Sequence, residues 1–178
     1  MIYSNQLNQF KQHLGKATKV TRKKINEDNS ELTYLCLNTC PAIAGPESSM
    51  KFKDYGIVYG HHFSLLKKSI LETINIKKED YQFFTSYIQL ESKIDDIILM
   101  LDSRKRPVIF FTKGEGGEMD SLFIRIRNSF AHGNYVIKNN YYILWNQNGT
   151  KTLHLGSFMM LKKDHIKKIY SCLNQWND

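Results

Sequence analysis

From position 79 to 102 apolar residues recur at helical spacing: Phe83, Phe84, Tyr87, Leu90, Ile94, Ile97, Ile98 and Leu101 share one side of a 3.6-residue repeat. A stripe this long has to be buried against other elements, so it predicts a long amphipathic helix at the centre of a packed domain. The same period runs through about 4–24, weakened by Gly15, and through about 30–39. It returns near 61–75, where Phe63, Leu66, Ile70, Leu71 and Ile74 form the apolar face. Pro41, Gly45 and Pro46 mark a loop between these segments.

The texture changes after Pro107. Val108 to Phe111 is a short apolar run able to form a strand, and Lys113-Gly114-Glu115-Gly116-Gly117 reads as a flexible loop. Asp120 or Ser121 can cap a helix whose buried stripe is Leu122, Phe123, Ile126 and Phe130, and Gly133 suits its end. Beyond it, Tyr135-Val136-Ile137, Tyr141 to Trp145 and Thr152 to Leu155 are rich in β-branched and aromatic residues. Asn139-Asn140 and Asn148-Gly149 separate them and tolerate the positive φ of hairpin turns, so a three-stranded antiparallel meander is expected over about 134–160. Ile166, Ile169, Tyr170, Leu173 and Trp176 then line one face of a closing helix near 164–176. The expected architecture is one mainly α domain over 1–178, a helical bundle with a small antiparallel meander and a C-terminal helix.

The 178 residues are 42% hydrophobic with only three prolines, which suits a single buried core and excludes disordered or collagen-like chains. The densest apolar run, Ile97 to Leu101, is far short of the roughly 18 residues a membrane helix needs. No basic stretch feeds an apolar core at the start, so neither secretion nor a membrane association is expected, and the reading is cytoplasmic. Cys36, Cys40 and Cys172 then read as reduced thiols, with no second cysteine pair to complete a zinc site. His154 and His165 read as surface residues, adjacent His61-His62 project differently from a helix and make no chelating pair, and no metal or other cofactor is expected.

Lysine and arginine number 25 against 17 acidic residues, a net charge of +8. The surplus comes in short clusters such as Arg22-Lys23-Lys24, Arg104-Lys105-Arg106 and Lys162-Lys163. A basic surface attracts polyanions, although each cluster also reads as an ordinary solvated helix face.

The chemistry-bearing stretch is Arg125-Ile126-Arg127-Asn128-Ser129-Phe130-Ala131-His132-Gly133-Asn134-Tyr135. With Ile126 at the centre of the buried face, Arg127 lies about 100° to one side, His132 about 120° to the other and Asn128 nearly opposite. These polar residues are not part of the apolar stripe. Ile124 and Ala131 lie among them, a small apolar strip that either another part of this chain or a second copy would cover.

This stretch resembles the R-x4-6-H motif of the HEPN superfamily in Arg127, Asn128 and Ala131-His132-Gly133, with an aromatic shortly after. The resemblance is strong over about 15 residues. It implies a helical bundle, usually a homodimer, and in many members a metal-independent endoribonuclease acting in toxin–antitoxin or antiviral defence systems. Other members only bind RNA or nucleotide. Arg127 and His132 would carry the chemistry, with two copies meeting at the Ile124/Ala131 face. The partners implied are RNA (tRNA or mRNA), a second copy and an antitoxin or other regulator.

The residue types suit the reaction. Attack of a ribose 2′-hydroxyl on phosphorus needs a base and an acid, and histidine, with an ordinary pKa of about 6.5, serves either role near neutrality. Arginine offers a fork of donors to the phosphoryl charge that grows in the transition state. Asn128 either orients the imidazole, binds phosphate or only helps end the helix. Arg125 and Tyr135 are further candidates for RNA contact, although Tyr135 also fits a hairpin core.

Glu91 stands apart, because it falls inside the apolar sector of the predicted 79–102 helix. A buried carboxylate needs a partner. Arg127 or Arg125 is expected to supply it, unless Glu91 caps a backbone group or reaches solvent.

Overall fold

The computed structural model describes residues 10, 12, 30–41, 50–103, 106–114, 116–149 and 154–176. Six α-helices are formed among them: α1 (Ser30–Asn38), α2 (Gly60–Thr73), α3 (Tyr87–Glu91), α4 (Ile94–Ser103), α5 (Glu118–Ala131) and α6 (Lys163–Ser171). Five strands, β1 (Tyr81–Phe84), β2 (Val108–Thr112), β3 (Tyr135–Lys138), β4 (Tyr141–Asn148) and β5 (His154–Lys162), make one sheet in the order β1-β2-β5-β4-β3. β1 and β2 are parallel, whereas β2–β5, β5–β4 and β4–β3 are antiparallel.

The mainly α bundle expected from the sequence is therefore replaced by an α/β fold built on a mixed sheet. The 79–102 segment is the reason. It is a strand followed by two helices, broken at Thr85-Ser86 and again at Ser92-Lys93. Ser86 caps α3 by accepting the Gln89 N–H at 3.4 Å. The first four residues gain more by pairing with β2 than by continuing a helix. Tyr81 and Phe83 alternate onto one face and pack against Phe111, with ring centroids 5.7 and 5.2 Å away, while Phe84 meets Phe110 on the other at 6.1 Å.

The central strands alternate between two cores. Ile109, Phe111, Tyr142, Leu144, Met159 and Leu161 point to one side, where α1, α2, α5 and α6 cover them. Val108, Phe110, Ile143, Phe158 and Met160 point to the other, under α3, α4 and Phe10. Every residue of β2 is buried, as a strand covered on both faces must be.

The expected meander is present as β3–β4–β5, joined to β2 rather than standing alone. Asn139 and Asn140, at φ of 52° and 65°, form its first turn as the dipeptide predicted. The closing helix is α6 continued by a 3-10 turn over Cys172–Trp176. The helix expected at 4–24, apart from Phe10 and Gln12, and most of the 40–49 loop lie outside the described residues, as do Thr152 and Leu153. All three cysteines are buried, and burial pushes the Cys36 thiol far up, so they serve as core residues.

Phe123 is fully buried at the centre of the larger core, edge-on to Phe52 at 5.7 Å and to Tyr170 at 5.3 Å. Phe123→Ala is expected to cost about 3–5 kcal/mol of stability, read from the urea midpoint at unchanged slope.

Candidate active site

α5 ends where it does because of Gly133. At φ of 64° its N–H reaches the Phe130 carbonyl at 3.2 Å, and the Asn134 N–H reaches the Ser129 carbonyl at 2.8 Å. This is a Schellman motif, which a left-handed glycine allows without strain. The chain turns immediately after His132 and leaves its side chain exposed. At the other end α5 starts at Glu118, earlier than Asp120 or Ser121 would place it. Asp120 instead accepts the Gly117 N–H at 2.9 Å.

Met119, Leu122, Phe123, Ile126 and Phe130 bury the inner face of α5. Arg127 and Asn128 are half-buried on its outer side. The Asn128 side-chain oxygen accepts a hydrogen bond from Arg127 Nη1 at 3.1 Å, so the amide steadies the guanidinium. Among the described residues no carboxylate pairs with Arg127, and no hydrogen bond joins Asn128 to the His132 ring. Ile124 is partly buried against the larger core on the helix that also packs beside α1, whereas Ala131 is exposed.

Arg125 and Tyr135 lie inside the fold. Tyr135 packs on Phe130 and Tyr142 at 4.8 and 6.0 Å, and burial pushes its phenol up to about 12. Arg125 is only 4% exposed. Its Nη2 donates to Thr112 Oγ1 at 3.0 Å, whose hydroxyl in turn donates to the Gly156 carbonyl at 3.0 Å. Burial lowers the guanidinium pKa, and the hydrogen-bonded Tyr87 hydroxyl offsets part of that. Gly156 sits at the register shift between β4 and β5, where a Cβ would lie 2.7 Å from Arg125 Nη1 and 3.0 Å from Cζ. The backbone of Arg125 is held too: Asn146 Nδ2 donates to its carbonyl at 2.6 Å and to Ser129 Oγ at 2.6 Å.

Glu91, 2% exposed, takes neither expected arginine. Its Oε1 accepts the Leu155 N–H at 3.0 Å and lies 3.2 Å from His154 Nδ1. Tyr87 stacks on the His154 ring at 5.3 Å and 13°. The apolar setting of Glu91 signalled that a partner must exist. It did not signal which one, since the pair is separated by 63 positions and depends on where β5 lies.

Among the described residues no cluster of three or more His, Cys, Asp or Glu is placed to hold a metal ion, and no helix is long and apolar enough to cross a membrane. Comparison with known proteins finds no matching family model, no matching relative and no matching solved structure.

Gly156→Ala is expected to cost about 1–3 kcal/mol by crowding the guanidinium. In an Arg125→Ala background the same change should cost about 1 kcal/mol less, which a double-mutant cycle in urea measures.

Proposed function

We propose that this protein is a metal-independent endoribonuclease in which Arg127 and His132 act on the phosphodiester and Asn128 steadies the arginine. The observation that carries this reading is the solvent-facing end of α5. There the Schellman turn leaves an imidazole exposed, and Arg127 bonds to an amide with no carboxylate competing for it among the described residues. An arginine free of carboxylates keeps its donors for phosphate. The surplus of +8 supports capture of a polyanion.

Cleavage would proceed by attack of the 2′-hydroxyl, leaving a 2′,3′-cyclic phosphate and a 5′-hydroxyl. One proton leaves the attacking oxygen and another reaches the departing oxygen. Among the described residues one copy of the chain presents a single histidine at this helix end, so a homodimer supplying a second His132 completes the acid–base pair. A role in toxin–antitoxin or antiviral defence, with an antitoxin as partner, follows from the motif's resemblance to HEPN proteins. That resemblance now rests on the motif residues alone, since the sheet-centred fold is not the bundle it implies. That single histidine at the helix end among the described residues also favours a second reading, an RNA-binding module that does not cut.

Incubation with end-labelled tRNA and mRNA in EDTA separates the two. Cleavage to cyclic-phosphate ends is expected. His132→Ala and Arg127→Ala should each reduce it by about 100-fold or more, with thermal unfolding unchanged. Full activity in His132→Ala, or loss of activity in EDTA, overturns the ribonuclease reading. RNA binding without cleavage by the parent protein selects the binding module.

A further inference from the structure

A second basic feature lies at the other end of the sheet from His154, where β2 and β4 begin and β5 runs into α6. A cavity of about 350 Å³ opens there, lined by Lys77, Arg106, Lys162, His165, Tyr141 and Asp80 among others. That volume falls in the range of small-molecule sites.

The charges in this cavity are not balanced. Asp80 is buried and held by Arg106, with Nε 2.7 Å and Nη2 3.3 Å from its carboxylate oxygens. Arg106 also stands 3.8 Å from Glu79, so its guanidinium is shared between two carboxylates and leaves no free positive charge. Lys77 and Lys162 have no carboxylate partner among the described residues, and Lys162 Nζ stands 5.6 Å over the Tyr141 ring. The neighbouring Lys163 and Lys167 are satisfied outside the cavity by Glu31, at 3.8 and 2.8 Å. His165 sits half-buried in the first turn of α6, its Nδ1 accepting the Lys162 N–H at 3.4 Å. Lys77 from one part of the chain, and Lys162, His165 and the positive end of α6 from another, thus line one concavity.

We propose that this cavity binds a small phosphate monoester of about nucleotide size, its phosphate held between Lys77 and Lys162 with His165 as a further donor. Inorganic phosphate would leave most of the space empty, whereas a nucleoside monophosphate fills it. The charge environment of His165 suits an anionic neighbour. Burial, Lys162 and Lys168 hold the His165 pKa below its ordinary value, with Asp164 opposing them, and Lys77 and the Arg106–Asp80 pair face it from across the cavity. A dianion between the lysines reverses that balance and favours the imidazolium.

Calorimetry with AMP, with adenosine as the uncharged control, tests this on the full chain. AMP is expected to bind and adenosine not. Lys77→Ala/Lys162→Ala should weaken AMP by roughly tenfold or more. Both lysines are exposed, so thermal unfolding should be unchanged. In an NMR titration the His165 midpoint should move up with AMP and stay in place with adenosine. No AMP binding, equal binding of adenosine, or AMP affinity unchanged in the double variant overturns the proposal. None of these readouts depends on RNA cleavage or on His132.

Discussion

The buried guanidinium of Arg125 determines how α5 lies on the sheet. A charge this far from water costs several kcal/mol unless its donors are met. Thr112 and Tyr87 each accept from the guanidinium, from two different elements, and the bulge at Gly156 leaves the space in which they do so. Asn146 and Ser129 lock the same turn of the helix through its carbonyl. Rotation of α5 about its axis would break all of these contacts together. The helix therefore has one orientation, and Arg127, Asn128 and His132 are turned outward as a consequence of Arg125 being turned in.

The sequence was legible wherever a local rule decided the outcome. Gly133 stops a helix through its own backbone preference, and Asn139-Asn140 turns a hairpin for the same reason, so both could be read from a few residues. The apolar run Val108 to Phe111 and the β-branched and aromatic segments of the meander were equally plain. The 79–102 stripe misled because a 3.6-residue period and a strand followed by two short helices can share the same apolar positions. Phe83 and Phe84 satisfy the helical stripe, but as neighbours in a strand they also serve the two opposite cores. Only the pairing of β1 with β2, 28 positions apart at Tyr81 and Ile109, decides between these readings, and no local rule contains it.

That pairing also creates the arrangement around Glu91. Because β1 ends at Phe84, α3 begins at the same edge of the sheet where β2 ends and β5 starts. Glu91 then lies beside a free strand-end N–H and a histidine. Both oxygen contacts fall on one atom, Oε1, which ties α3 to the first residues of β5. In a continuous helix the same carboxylate would have met only whatever packed against its stripe. The wrong partner followed from the wrong element.

Arg125 and Arg127 show what a helical wheel leaves out. They flank Ile126 by about 100° on opposite sides, so the wheel treats them as equivalent. The structure buries one and leaves the other half-open because the two flanks meet different surroundings. Arg125 faces the bulged end of β5, where Thr112, Asn146 and Ser157 are buried polar residues within otherwise apolar strands. Polar residues in buried strands mark the place where a charged neighbour must enter, just as Glu91 in an apolar stripe marks the need for a partner. Read together with Gly156, they break the symmetry between the two arginines. The arginine that completes the fold is thereby distinguished from the one left half-open on the outer side of α5.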